Sequence, residues 1–217
     1  MASSYSTDLK LELMVTGENA GTWGDITNTN LNLLQQAIAG YQSVSIAGGA
    51  QTTALAMTNA TLSNARNAVI DLSGTITGNQ VVTIPDSIEK TYIVKNSTSG
   101  AYTVQFKTVS GTGPTFSTTD KGTKILYSDG TNITDVFTQL SQVNLVNQNE
   151  LRFEDSTGGQ YVALKAGTTV ASNLTLTLPT ADGTSGQAIT TNGSGVLSFS
   201  TAGITTGKAI AMAIVFG

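Results

Sequence analysis

The feature that most constrains this chain is that its apolar residues come in short alternating runs, each closed by a turn before a helix could form. Between residues 42 and 137 the runs centre on Val44, Leu55, Ile70, Val82, Ile93, Phe106 and Ile125. Period-2 alternation over a few residues is the mark of a half-buried strand. Turn-forming clusters separate the runs: Ala47-Gly48-Gly49, Ser73-Gly74, Thr77-Gly78-Asn79, Ser99-Gly100 and Ser128-Asp129-Gly130. Such residues accept tight or left-handed backbone. Strands recurring roughly every 8–15 residues between turns lead us to expect an antiparallel sandwich or barrel.

Residues 151–200 are also β in character. Leu174, Leu176 and Leu178 alternate with Thr175 and Thr177, and Pro179 halts the run because it has no N–H for a ladder. Asn192-Gly193-Ser194-Gly195 lies between Ile189 and Thr191 on one side and Leu197 and Phe199 on the other. That is a hairpin signal, since Asn and Gly tolerate positive φ. The run Val81 to Pro85 ahead of Asn96 echoes the leucine run ahead of Asn192, as if both were variants of one supersecondary unit.

One stretch has a convincing helical period, ITNTNLNLLQQAIA, residues 26–39, with a helical turn within residues 58–66 and a short helix along Val136, Leu140, Val143 and Val146 as further options. Leu31, Leu34 and Ile38 share a face, Asp25 or Thr27 is placed to cap the start, and Gly40 suits a left-handed stop. A short, asparagine-rich helix is marginal alone. Burying the three apolar residues at roughly 1.5–3 kcal/mol each would hold it. Its face must therefore meet either the chain's own β domain or other copies around a three-fold axis. Ahead of it, Leu9, Leu11, Leu13 and Val15 mark an extended arm, and Trp23 reads as a core residue. Residues 138–150 are a Gln- and Asn-rich connector. The apolar run from Ala209 to Phe216 would be an aggregation hazard if left bare. It reads as an intersubunit strand.

Charged residues make up 11% of the chain, against roughly 25% in ordinary domains. Threonine, serine, asparagine and glycine replace them, which suits repetitive packing of identical chains, where stacked like charges would repel. A Thr-rich single-copy β protein is the alternative. The net charge of −4, with ten scattered basic residues, argues against nucleic acid. With no histidine and no cysteine, imidazole catalysis, disulfides and the usual zinc sets are removed. No cofactor or metal is expected. Glu150, Glu154 and Asp155 cluster, as do Asp86 and Glu89, but neighbours on a strand face opposite ways, so a paired-carboxylate hydrolase is not expected. Residues 1–10 lack the apolar region of a signal peptide. The tail falls short of the roughly 20 residues of a membrane helix.

The string LRFEDSTGGQYVALKA, continued by LTLTLPTADGTSGQAITTNGSGVLSFS, resembles a module of fibre and other virion structural proteins of tailed bacteriophages, notably marine ones. Phe199 stands where that module usually has Trp, and Ile189 where it has Leu or Val; both remain apolar. TGENAGTWGDITNTNLNLLQQAIAG is similar to the amino-terminal segment of such fibres, which commonly attaches to the particle. The middle of the chain is similar to their repeating β modules.

The resemblance implies a non-enzymatic virion protein assembled in the host cytoplasm: a short homotrimeric tail fibre. Its partners would be other virion proteins of tail, baseplate or capsid, with a host surface glycan as a further candidate. A head-vertex, capsid-decoration or neck fibre, and a carbohydrate-binding module, are the alternatives. The expected fold is mainly β: a short helix, then two antiparallel β modules intertwined as a trimer. Divisions fall at 1–41 (attachment arm and helix), 42–137 (sandwich-like module), 138–150 (connector), 151–202 (hairpin module) and 203–217 (apolar strand). The assembly residues expected are Trp23, Leu31, Leu34, Ile38, Leu174, Leu176, Leu178, Ile210, Ile214 and Phe216.

Overall fold

The computed structural model describes residues 3–154, 160–201 and 206–216. The chain is mainly β, with two α-helices, and divides into two units: Met1–Asn144 with Arg152–Ala163, and Leu145–Leu151 with Leu164–Gly217.

The first unit opens with an arm whose strands β1 (Ser4–Tyr5) and β2 (Glu12–Leu13) pair antiparallel. Helix α1 (Trp23–Ala39) follows. Then come β3 (Tyr41–Ser45), β4 (Gln51–Ala54), β5 (Val69–Thr75), β6 (Gln80–Ile84), β7 (Glu89–Ser99) and β8 (Val104–Thr108). These six alternate between two sheets. Strands β3, β5 and β7 lie side by side and parallel in one, and β4, β6 and β8 do the same in the other. The chain therefore winds as three successive two-stranded coils. Val69 lies opposite Ile93, and Gln80 opposite Val104, so the later coils repeat every 24 residues. Strands β9 (Thr115–Phe116), β10 (Thr123–Asp129) and β11 (Ile133–Asp135) run antiparallel and close one end.

This corrects the expected antiparallel pairing of the middle module. The strands lie where alternation puts them, but each turn carries the chain across to the other sheet instead of back along the same one. Period-2 alternation reports which residues face inward and says nothing about which strand lies alongside. The corners need glycine. Gly100 has φ +104, and a Cβ there would strike the Ile76 carbonyl of the coil below; Gly74, at φ +109, backs onto Ala47.

The core lies between the two sheets and includes Ile46, Ile70, Leu72, Val82, Ile84, Val94, Phe106, Phe116 and Leu126. Tyr92 meets Phe106 edge to face at 5.7 Å, a favoured aromatic geometry. The polar groups buried with them staple loops. The Gln80 amide donates to the carbonyls of Gly48, Gly49 and Gly78. Asn96 donates to the Asp120 carbonyl and accepts from the Thr98 hydroxyl.

Arg66, fully buried at the end of a single 3-10 turn (Asn64–Arg66), holds the amino-terminal region in place. Its Nε donates to the Leu9 carbonyl at 2.9 Å, Nη1 to Thr61 O and to Gln36 Oε1, and Nη2 to Thr58 O. One guanidinium thus joins arm, helix and loop, and burial pushes its pKa down.

Strands β12 (Leu151–Glu154) and β13 (Tyr161–Leu164) form a two-stranded sheet of their own. In the second unit β14 (Gln187–Thr191) and β15 (Leu197–Thr201) pair antiparallel around Asn192 to Gly195, as the sequence suggests. The leucine run is less regular than expected. Among the described residues its ladder contact is a parallel bridge from Thr177 to Val196, made by Thr177 N to Gly195 O and Leu197 N to Thr177 O. The echo with the 81–85 run therefore does not correspond to a shared unit. The tail is also corrected: Thr206–Phe216 is helix α2, not a strand. Interleaved alanines favour helix. Asp155 and residues 202–205 lie outside the described residues.

Candidate assembly surface

Helix α1 begins at Trp23, three residues before the expected start, because Thr22 N and Trp23 N both bond the Asn19 carbonyl and begin the helical turn early. It ends without the left-handed stop foreseen at Gly40, which has φ −71 and ψ 140. The chain passes straight into β3, and glycine is needed because a Cβ would collide with Gln36 O and Asn67 Oδ1.

Helix α1 is turned by about 120° from the orientation its apolar stripe leads one to expect. The inward face carries Leu33, 1% exposed, flanked by Asn30 and Gln36. Asn30 accepts from Glu12 N at 3.0 Å and donates to Glu12 O at 2.9 Å. Gln36 Oε1 accepts from Ser63 N and Arg66 Nη1, each at 3.2 Å. Irregular main chain in the arm and loop needs polar partners, and only the amide-bearing face supplies them. Trp23 is therefore not a core residue but 64% exposed, Leu31 and Ile38 are 57% and 77% exposed, and Leu34 is half-buried. On the helical wheel Trp23, Thr27, Leu31, Leu34 and Ile38 fall within about 80° of arc. The sole charged residue of the helix is Asp25, in its first turn.

In β3, the Tyr41 hydroxyl donates to Asp71 Oδ2 at 2.6 Å. Burial alone would push the Asp71 carboxyl up; the hydroxyls of Ser97 and Tyr41 and the Lys95 charge outweigh it and hold it below its usual value. Elsewhere in this unit Lys90 lies 4.3 Å over the Tyr92 ring and donates to the carbonyls of Asn67 and Thr91, and burial pushes it down to about 8.

Most described apolar residues of the second unit face solvent, while Pro179, Ala188, Leu197 and Phe199 are half-buried. Among its described residues only Gly195 is buried. Leu174, Leu176 and Leu178 are 69%, 54% and 71% exposed. The described side chains of α2, from Ile210 to Phe216, are exposed on every face, with Ile214 at 78% and Phe216 at 83%. A helix apolar all round is normally a buried one.

The residues considered for chemistry are engaged otherwise. The Asp86 carboxylate accepts from Ser110 N, as turn carboxylates do, and Glu150 lies 3.8 Å from Lys165 Nζ. Among the described residues no three carboxylates gather where they could hold a metal ion, and no helix is long and apolar enough to cross a membrane. A groove of about 300 Å³ beside the end of α1, between Gln35, Tyr41 and Leu62, is open, and its amides Gln36 and Asn67 are committed to the loop. Sequence reasoning missed Arg66 and Leu33; an arginine near the end of a polar loop, with no acid nearby in sequence, was the available signal. Comparison with family models, with curated proteins and with solved structures finds no match.

Proposed function

We propose that this chain is a non-enzymatic structural protein of a tailed-bacteriophage virion, a short homotrimeric tail fibre whose carboxyl-terminal unit completes its core from three intertwined copies. The observation that supports this best is the second unit itself. A fold of that size with no buried apolar side chain among its described residues, and with Leu197 and Phe199 only half covered, has little to oppose its conformational entropy. Identical chains supply what it lacks: Leu174, Leu176 and Leu178 from each copy facing a common axis, with Ile210, Ile214 and Phe216 packed below or beside them. The scarcity of charge suits such close repetition. The tailed-phage assignment rests on the sequence resemblance, as does attachment of the amino-terminal segment to tail, baseplate or capsid proteins.

Size-exclusion chromatography with light scattering at micromolar concentration tests the oligomer. A mass three times that of the chain is expected. A well-folded single chain, with the leucine run and α2 resistant to protease, would remove the proposal. Labelled protein located on intact particles then distinguishes a tail position from a vertex or neck one.

A further inference from the structure

We infer that the outward stripe of α1 is a second self-association seam, in which the helices of neighbouring copies pack against one another. The inference rests on the oligomer proposed above but concerns a different surface, in the unit that has its own core. Three observations carry it. Thr27, Leu31, Leu34 and Ile38 are spaced four, three and four residues apart, the alternation that keeps one line of side chains against an identical helix. The adjoining face, centred about 120° away on the wheel, is already fixed to the arm and loop through Asn30, Leu33 and Gln36, so the stripe cannot rotate inward. The seam is also uncharged, with Asp25 alone near its start, leaving no electrostatic feature by which a different protein would be selected.

Area decides between a copy and a stranger. Trp23, Leu31, Leu34 and Ile38 present roughly 500 Å² per chain, against about 800 Å² per partner in a stable standard interface. A separate protein held by this stripe alone falls short. A second copy already tethered through the carboxyl-terminal unit does not, because tethering turns the contact into an intramolecular one at high effective concentration.

Trp23 is the chain's only tryptophan and lies at one end of the seam, so it reports on closure without a label. The full-length protein is examined by acrylamide quenching of tryptophan fluorescence and by light scattering, beside a Leu31→Lys/Ile38→Lys variant. Both substituted positions are exposed, so folding of the single chain is unaffected. The expected result is an oligomer whose Trp23 emission is blue-shifted and quenched several-fold less than free tryptophan. In the variant the oligomer persists while emission and quenching return to those of an exposed indole. An oligomer whose Trp23 is quenched like free tryptophan overturns the seam and leaves the oligomer standing. Protection that survives both lysines also overturns it, since something other than α1 would then cover the indole. A monomer removes both readings together.

Discussion

The two units of this chain are built from similar residues and reach opposite outcomes. In the first, the inward-facing apolar positions of β5 to β8 meet across the gap between two sheets: Ile70, Leu72, Val82 and Phe106 are all fully buried. In the second, Leu174, Leu176, Leu178 and Ile189 follow the same period and stay exposed, and Leu197 and Phe199 are only half-buried. The difference lies in strand number. The first unit stacks three coils, so the middle strands β5 and β6 have neighbours on both sides and a second sheet beneath. The second has one hairpin and one bridging segment, and two or three strands without a covering layer are not independently stable. Alternating sequence supplies a greasy face; only a second layer makes a core. The first unit contains its second layer, and we propose that the other unit borrows its own.

The contrast can be broken by experiment. The largest effect is expected from Leu174→Asp, Leu176→Asp and Leu178→Asp combined. Each position contributes roughly 1.5–3 kcal/mol of burial per copy, so the assembly should dissociate at micromolar concentration while the first unit keeps its thermal transition. An unchanged mass by light scattering would mean that these leucines are not what joins the copies. Phe106→Ala should act within one chain, costing about 3–5 kcal/mol. Its fall in Tm should be the same over a hundredfold dilution, whereas that of the leucine variants should depend on concentration. A concentration-dependent Phe106→Ala would show the first unit leaning on its neighbours as well.

A smaller loss is expected from Arg66→Met. It leaves the carbonyls of Leu9, Thr58 and Thr61 without their donor, at about 1–3 kcal/mol for each that stays buried. Because those partners belong to the arm and loop, trypsin should cut rapidly after Lys10 while the two-sheet core resists; an intact arm would show that β1, β2 and Asn30 suffice to hold it. The smallest effect concerns pH. Asp71 is held below its ordinary value of 3.8 in the folded chain, so the unfolded chain takes up the proton first as pH falls. Its stabilising contribution is complete above that value and is lost as pH drops through the depressed folded one. Tyr41→Phe removes one donor, at about 0.5–1.5 kcal/mol near neutrality. It should also flatten the acid limb of the stability curve, and an acid limb identical to that of the parent would assign the effect to other carboxylates.

Much of the local structure was legible in the residues. The strands around Ile70, Val82, Ile93 and Phe106, the hairpin at Asn192 to Gly195 and the helix before Gly40 are where alternation, turn chemistry and 3.6 periodicity put them. These features depend on neighbours a few positions away, and short-range rules describe such neighbours. Which face of α1 turns inward was not legible. Leu31, Leu34 and Ile38 make the more apolar face, yet the arm and loop beneath needed amides, and Asn30 and Gln36 supplied them. The Arg66 staple escaped for the same reason, since its acceptors at Leu9, Gln36, Thr58 and Thr61 are distant main-chain and side-chain oxygens that carry no sequence signal.

The sequence by itself determined that this is a chain of short strands with one convincing helix, poor in charge and without histidine or cysteine. Tertiary structure decided that the middle strands run parallel in a three-coil stack, that α1 keeps its apolar stripe outward, and that the tail is a helix. The physical reason is range. Alternation and turn propensity act within a few residues, whereas strand partnership, helix orientation and the pairing of buried polar groups are settled by what arrives from dozens of residues away.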